Sequence, residues 1–170
     1  MKNEEEWKKL SDEERIEKFC RFFHHINHFD RHLGLQLVLP TPSTKPHYEM
    51  TVEDHHLSSP GVAHGGTLSA MMDAVLGLEA LLESVRVHSL CSTVEFKMNF
   101  MTPALLGDHL IGEATVDFKG NSLIIVSGGL YHKKQRHLIC KGMGTFNVYP
   151  MNKKVDLYES LFKTLHNLNK

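Results

Sequence analysis

An excess of charge of either sign is missing from this 170-residue chain: 19 Lys and Arg against 20 Asp and Glu leave a formal net charge of −1. No general field would draw in nucleic acid or an anionic membrane surface, so neither is expected as a partner. Long apolar runs are missing too. Asp73 and Glu79 interrupt the longest candidate before it reaches the roughly 18 residues of a membrane span. Residues 1–9 are charged and carry nothing like the apolar core of a secretory signal. Cysteine is scarce: Cys20, Cys91 and Cys140 are odd in number and widely spaced. That argues against a disulfide framework and for free thiols in a reducing compartment, with the cytoplasm as the expected location. No internal repeat or low-complexity linker divides the chain. At 41% hydrophobic and 23% charged residues it has the composition of a globular protein long enough to bury one core.

What is present is a hydrophobic pattern that changes period along the chain. Residues 4–29 read as helical, with Ser11 and Glu14 spaced as a capping box and Phe19, Phe22, Phe23, Ile26 and Phe29 forming an apolar face. Residues 35–39 alternate as a strand would. Pro40, Pro42, Ser43 and Pro46 mark a turn, and residues 47–52 read as the returning strand. Residues 65–84 are helical and apolar nearly all round, which implies a buried helix. Residues 89–101, 108–118, 122–132 and 138–149 then read as strands joined by tight turns, an expected antiparallel meander. A final amphipathic helix closes the chain. The fold class expected is α+β, an antiparallel sheet of about six strands wrapped around one central helix. The expected layout is an N-terminal helical extension (1–29), one main domain (30–150) and a C-terminal helix (151–170).

The segment Pro60-Gly61-Val62-Ala63-His64-Gly65-Gly66 leads straight into the apolar helix, with a single carboxylate, Asp73, about two turns inside. Glycines there admit another group close to the backbone, just where the helix leaves its first N–H groups without partners. Such donors can hold a carbonyl oxygen as it gains negative charge. A lone acid in apolar surroundings is costly unless it has work to do. Two ingredients of acyl-transfer chemistry thus share one segment. The histidines are a weaker signal. His24, His28 and His32 follow at i, i+4 and i+8 but lack an acidic partner, so a solvated helix face is the better account and no metal is expected.

These residues resemble the hotdog-fold acyl-CoA thioesterases of the phenylacetyl-CoA thioesterase type. The resemblance rests on Gly61 to Gly66 with Asp73 nine residues after His64, and on a second block, Ser92 to Ala104, followed by Gly107-Asp108. It spans roughly residues 30–150 and implies the hotdog fold and thioester hydrolysis without a cofactor. It also implies roles. Asp73 activates water or attacks the thioester carbonyl, the Gly65 N–H polarises that carbonyl, and His64 shapes the corner. Thr93 supplies a hydroxyl that helps place the water, and Gly66 lies against the substrate. One position departs from the pattern: where some relatives use Asn or Gln to hold the thioester oxygen, this chain has Ser58. A hydroxyl is shorter, so that contact is lost, replaced by water, or supplied by Ser59 with a shift of the loop.

Helix geometry implies a second copy. Gly65 and Asp73 are eight residues apart, about 12 Å along a helix axis. An activated water must lie within hydrogen-bond reach of its base and near the carbon it attacks. One helix cannot serve one thioester with both groups, whereas two antiparallel copies can, each lending its Gly65 end to the other's Asp73. The expectation is a homodimeric acyl-CoA thioesterase, or a tetramer of two dimers. Its rivals are a non-catalytic acyl-CoA sensor, a dehydratase of the same fold and a structural assembly module.

Overall fold

Ser11 opens the first helix through the reciprocal cap expected of it. Its hydroxyl accepts from the Glu14 N–H, and the Glu14 carboxylate accepts from the Ser11 N–H. This helix, α1 (Asp12–Ile26), buries Ile16, Phe19, Cys20 and Phe22. It stops at Asn27, whose side chain caps a short second helix, α2 (His28–His32). The helical part expected to run from Ser11 to residue 29 is therefore broken at Asn27, and His24 and His28 lie on different helices. In this computed structural model the described residues are 7, 9–41, 43–58 and 61–153. The expected C-terminal helix falls outside them, apart from a 3-10 turn at Met151–Lys153.

Strands β1 (Gln36–Val38) and β2 (His47–Thr51) form the expected hairpin. A small hairpin that the sequence did not suggest follows, β3 (Leu57–Ser58) with β4 (Val62–Ala63). The central helix α3 (Gly65–Arg86) comes next, and its Leu68, Met71, Met72, Val75, Leu76, Leu78, Leu81 and Leu82 are buried. The remaining strands are β5 (Ser89–Phe100), β6 (His109–Lys119), β7 (Leu123–His132) and β8 (Leu138–Pro150).

Six strands make one antiparallel sheet in the order β1-β2-β6-β7-β8-β5, and α3 packs against β2, β5, β6, β7 and β8. The architecture is the expected one, with one correction to connectivity. Only β6, β7 and β8 form a meander. β5 lies at the far edge beside β8, while β6 pairs with β2. Residues 101–108 carry the chain past the ends of β8 and β7, three strand spacings or about 14 Å. That connection is longer than a tight turn, and hydrophobic pattern alone does not say where it leads.

Close approach of helix to sheet depends on Gly112 in β6. A Cβ there would lie 2.1 Å from Val75 Cγ2. The main core lies between α3 and the sheet. A second cluster, with Phe19, Phe22, Leu81, Val85 and Leu90, joins α1 to the far end of α3.

Candidate functional site

The amide end of α3 is held from three sides before any ligand is considered. His64 caps the helix from an extended backbone (φ −63°, ψ 138°). Its Nδ1 accepts from the Gly66 N–H at 2.9 Å, and its own N–H donates to the His56 carbonyl at 2.7 Å. Ala63 N–H donates to the Ala104 carbonyl at 2.8 Å, tying β4 to the segment between β5 and β6. The Gly66 amide is thus engaged. The Gly65 N–H has no hydrogen-bond partner among the described residues. Gly65 also sits against β5, since a Cβ there would meet the Phe100 ring at 3.3 Å. Ser58 turns its hydroxyl to the Val62 carbonyl at 3.2 Å, inside its own hairpin.

Asp73 lies two turns along α3, half-buried, and accepts a hydrogen bond from the Thr93 hydroxyl of β5 at 2.9 Å. The structure therefore groups the six candidate residues in two places. Asp73 meets Thr93, while Gly65, Gly66, His64 and Ser58 surround the helix start. Both places lie along β5, one at Thr93 and the other at Phe100.

From Asp73 a cavity of about 350 Å³ runs between α1, α3 and β5, lined mainly by apolar groups such as Phe19, Phe23, Leu78, Leu81 and Phe146. Cys91 on its wall is a poor nucleophile, because burial pushes its thiol up to about 11. One polar group besides Asp73 stands out on the wall. Asp30 is 8% exposed, and its Oδ2 accepts from the Tyr48 hydroxyl at 2.5 Å and from Asn27 Nδ2 at 2.6 Å. Its carboxyl is held above the ordinary carboxylate range, first by burial and also by the nearby Asp73 charge, against the opposing effect of the Tyr48 hydrogen bond.

Sequence reasoning missed Asp30 and Tyr48, which lie in segments with no motif signal. It also passed over His56. His56 is buried and fixes the loop before β3: its Nδ1 accepts from the Glu53 N–H at 2.9 Å, and its Nε2 lies 2.9 Å from the Leu33 carbonyl. Among the described residues no cluster of three or more His, Cys, Asp or Glu is arranged to hold a metal ion. No helix is long and apolar enough to cross a membrane, again among the described residues. The basic hairpin tip is largely committed, with Lys133 on Glu49 at 2.6 Å and Arg136 on Glu113 at 2.7 Å.

Residues 60–139 match the family model of the thioesterase superfamily. Acyl-coenzyme A thioesterase 13 of Homo sapiens is 28% identical over 117 residues, covering 69% of this chain and 82% of that protein. The E. coli PaaI protein from the phenylacetic acid degradation operon superposes with a TM-score of 0.70 at 16% identity, covering 81% of this chain and 95% of that one. A hypothetical thioesterase from Streptococcus pneumoniae, solved with coenzyme A, gives 0.54 at 19% identity, covering 62% and 78%. Such distant structural matches establish a shared fold.

Proposed function

With residues 60–139 belonging to the thioesterase superfamily and the described residues folded as its hotdog members are, we propose that this protein hydrolyses an acyl-CoA to the free acid and coenzyme A. The observation that carries this is a carboxylate, Asp73, anchored by Thr93 at 2.9 Å and opening onto an apolar cavity of acyl-chain dimensions. Asp73 takes a proton from water as the water oxygen attacks the thioester carbon. The carbonyl oxygen gains charge and is held by the uncommitted Gly65 N–H, with His64 keeping the helix end in shape. Collapse of the intermediate expels the CoA thiolate, which takes up the proton. The thioester is already electrophilic, so these steps use no cofactor. Gly66 contributes a side-chain-free surface beside the substrate. The Ser58 hydroxyl reaches the thioester only after leaving the Val62 carbonyl.

A homodimer completes the site. β5 pairs with β8 along one edge, and its other edge has no partner strand among the described residues. Val94 and Phe100 on it are 59% and 55% exposed. A free edge with exposed apolar side chains invites a second strand. If two β5 strands pair antiparallel about a dyad between Phe96 and Lys97, Thr93 falls opposite the partner's Phe100. Asp73 of one subunit then faces the Gly65 end of the other, giving two equivalent sites. Pairing of two such dimers gives the tetramer. The cytoplasm, where acyl-CoA meets a chain with free thiols, is the proposed location.

A thiol-release assay over a panel of acyl-CoAs tests the reading. Asp73→Asn is expected to lower kcat by about 10²–10⁴-fold, with the fold checked by circular dichroism. Tight acyl-CoA binding by the wild type without thiol release would transfer the protein to the sensor class.

A further inference from the structure

Asp30 is a buried carboxylate with a division of labour between its oxygens. Oδ2 accepts from both Tyr48 and Asn27, while Oδ1 has no hydrogen-bond partner among the described residues. The residue lines the same cavity as Asp73, where the apolar Phe19, Phe23, Leu81 and Phe146 share the wall with the polar Ser92, Thr93 and Tyr149. Stripping that oxygen of water when a ligand fills the cavity is costly unless the ligand donates to it. None of Asn27, Asp30 and Tyr48 lies within residues 60–139, which match the thioesterase superfamily model.

We propose that the cavity takes an acyl group carrying a hydroxyl, which donates to Asp30 Oδ1 while Tyr48 and Asn27 hold the opposite oxygen. The proposal rests on the thioesterase reading and adds a substrate class to it. A hydroxylated chain satisfies the lone oxygen, an unsubstituted chain strips it of water and gives nothing back, and a ketone presents a second acceptor and is repelled. Discrimination of this kind is strong when a polar site group is left unpaired by the wrong ligand.

The test compares octanoyl-CoA with its 3-, 5- and 7-hydroxy derivatives and the corresponding ketones. For at least one position, the wild type is expected to favour the hydroxyl over the unsubstituted chain by about tenfold in kcat/KM, and over the ketone by more. Asp30→Asn should undo this order for a geometric reason. Tyr48 and Asn27 both donate toward Oδ2, so the new amide places its oxygen there and turns its NH2 into the cavity. The ketone should then gain at least as much as the hydroxyl loses. Tyr48→Phe, which keeps the ring packing, should weaken the preference and guards against misfolding of the first variant. Thiol release with all chains within twofold of one another, or a ketone-to-hydroxyl ratio unmoved by Asp30→Asn, overturns the proposal while leaving the thioesterase reading intact. No thiol release from any member overturns the thioesterase reading instead. Calorimetric affinities for the same series then decide the notch separately, the same order upholding it and equal affinities sinking it.

Discussion

At the scale of single residues, His56 shows how one buried imidazole supports a site it does not touch. Its ring ties the Glu53 amide to the Leu33 carbonyl, and its own carbonyl accepts from the His64 N–H that starts the central helix. Burial is the main cause holding its pKa below the usual imidazole value. The Leu33 carbonyl and Glu53 oppose this and His55 reinforces it. The sign follows directly. A depressed folded-state pKa means a contribution fully present above the unfolded value near pH 6.5 and lost as pH falls through the folded value. His56→Leu is expected to cost about 2–3 kcal/mol at pH 7.5, since it leaves a donor and an acceptor unpaired. It should also flatten the fall in stability that the wild type shows below about pH 6.5. Thermal unfolding at pH 7.5 and pH 5 measures both. Gly65 permits an equally sharp test. It is the first residue of α3, where proline is tolerated, and the extended His64 backbone suits a following proline. Gly65→Pro therefore removes the N–H with little harm to the cap, although its ring must displace Phe100 slightly. The expected loss in kcat is about 10²–10³-fold, read in the thiol-release assay, with the melting temperature moved by only a few degrees.

At the scale of elements, the placement of Asp73 depends on how deeply α3 sinks into the sheet. Gly112 permits this. With a Cβ 2.1 Å from Val75 Cγ2, the Gly112→Ala variant must push the helix outward or twist Val75 from its rotamer. The expected cost is about 1–3 kcal/mol in chemical denaturation. Adding Val75→Ala should recover part of it, whereas a loss that simply adds would remove the contact as the cause. The small β3–β4 hairpin and residues 101–108 act together on the other end of the helix. Ala104 is fully buried and accepts from Ala63, so the Pro103-Ala104 step seen in the sequence anchors the strand that precedes His64. Its sequence signal had a structural cause that the pattern alone did not disclose.

At the scale of the whole molecule, the proposed dimer brings the Asp73 of one subunit to the Gly65 end of the other. Mixing Asp73→Ala with Gly65→Pro subunits tests the crossing. Random exchange makes half the dimers heterodimers, each with one intact site and one doubly broken, so activity should return to about a quarter of the wild-type value. No recovery after verified exchange would place both groups in one subunit's own site. Much of this was legible in the sequence. The Ser11 cap, the largely apolar run from Leu68 to Leu82 and the β-branched segments after it declared their elements, because cap chemistry and hydrophobic period are local properties. The pairing of Asp73 with Thr93 was foreshadowed by motif but not by spacing, since the two are 20 residues apart. The chain itself determined the elements, their order and the chemistry available at the start of the central helix. Only the tertiary structure decided that β5 leaves the meander for the free edge, and that Asn27, Asp30 and Tyr48 converge on the cavity beside Asp73. Strand order and cavity walls depend on contacts between segments far apart in the chain, which no local period encodes.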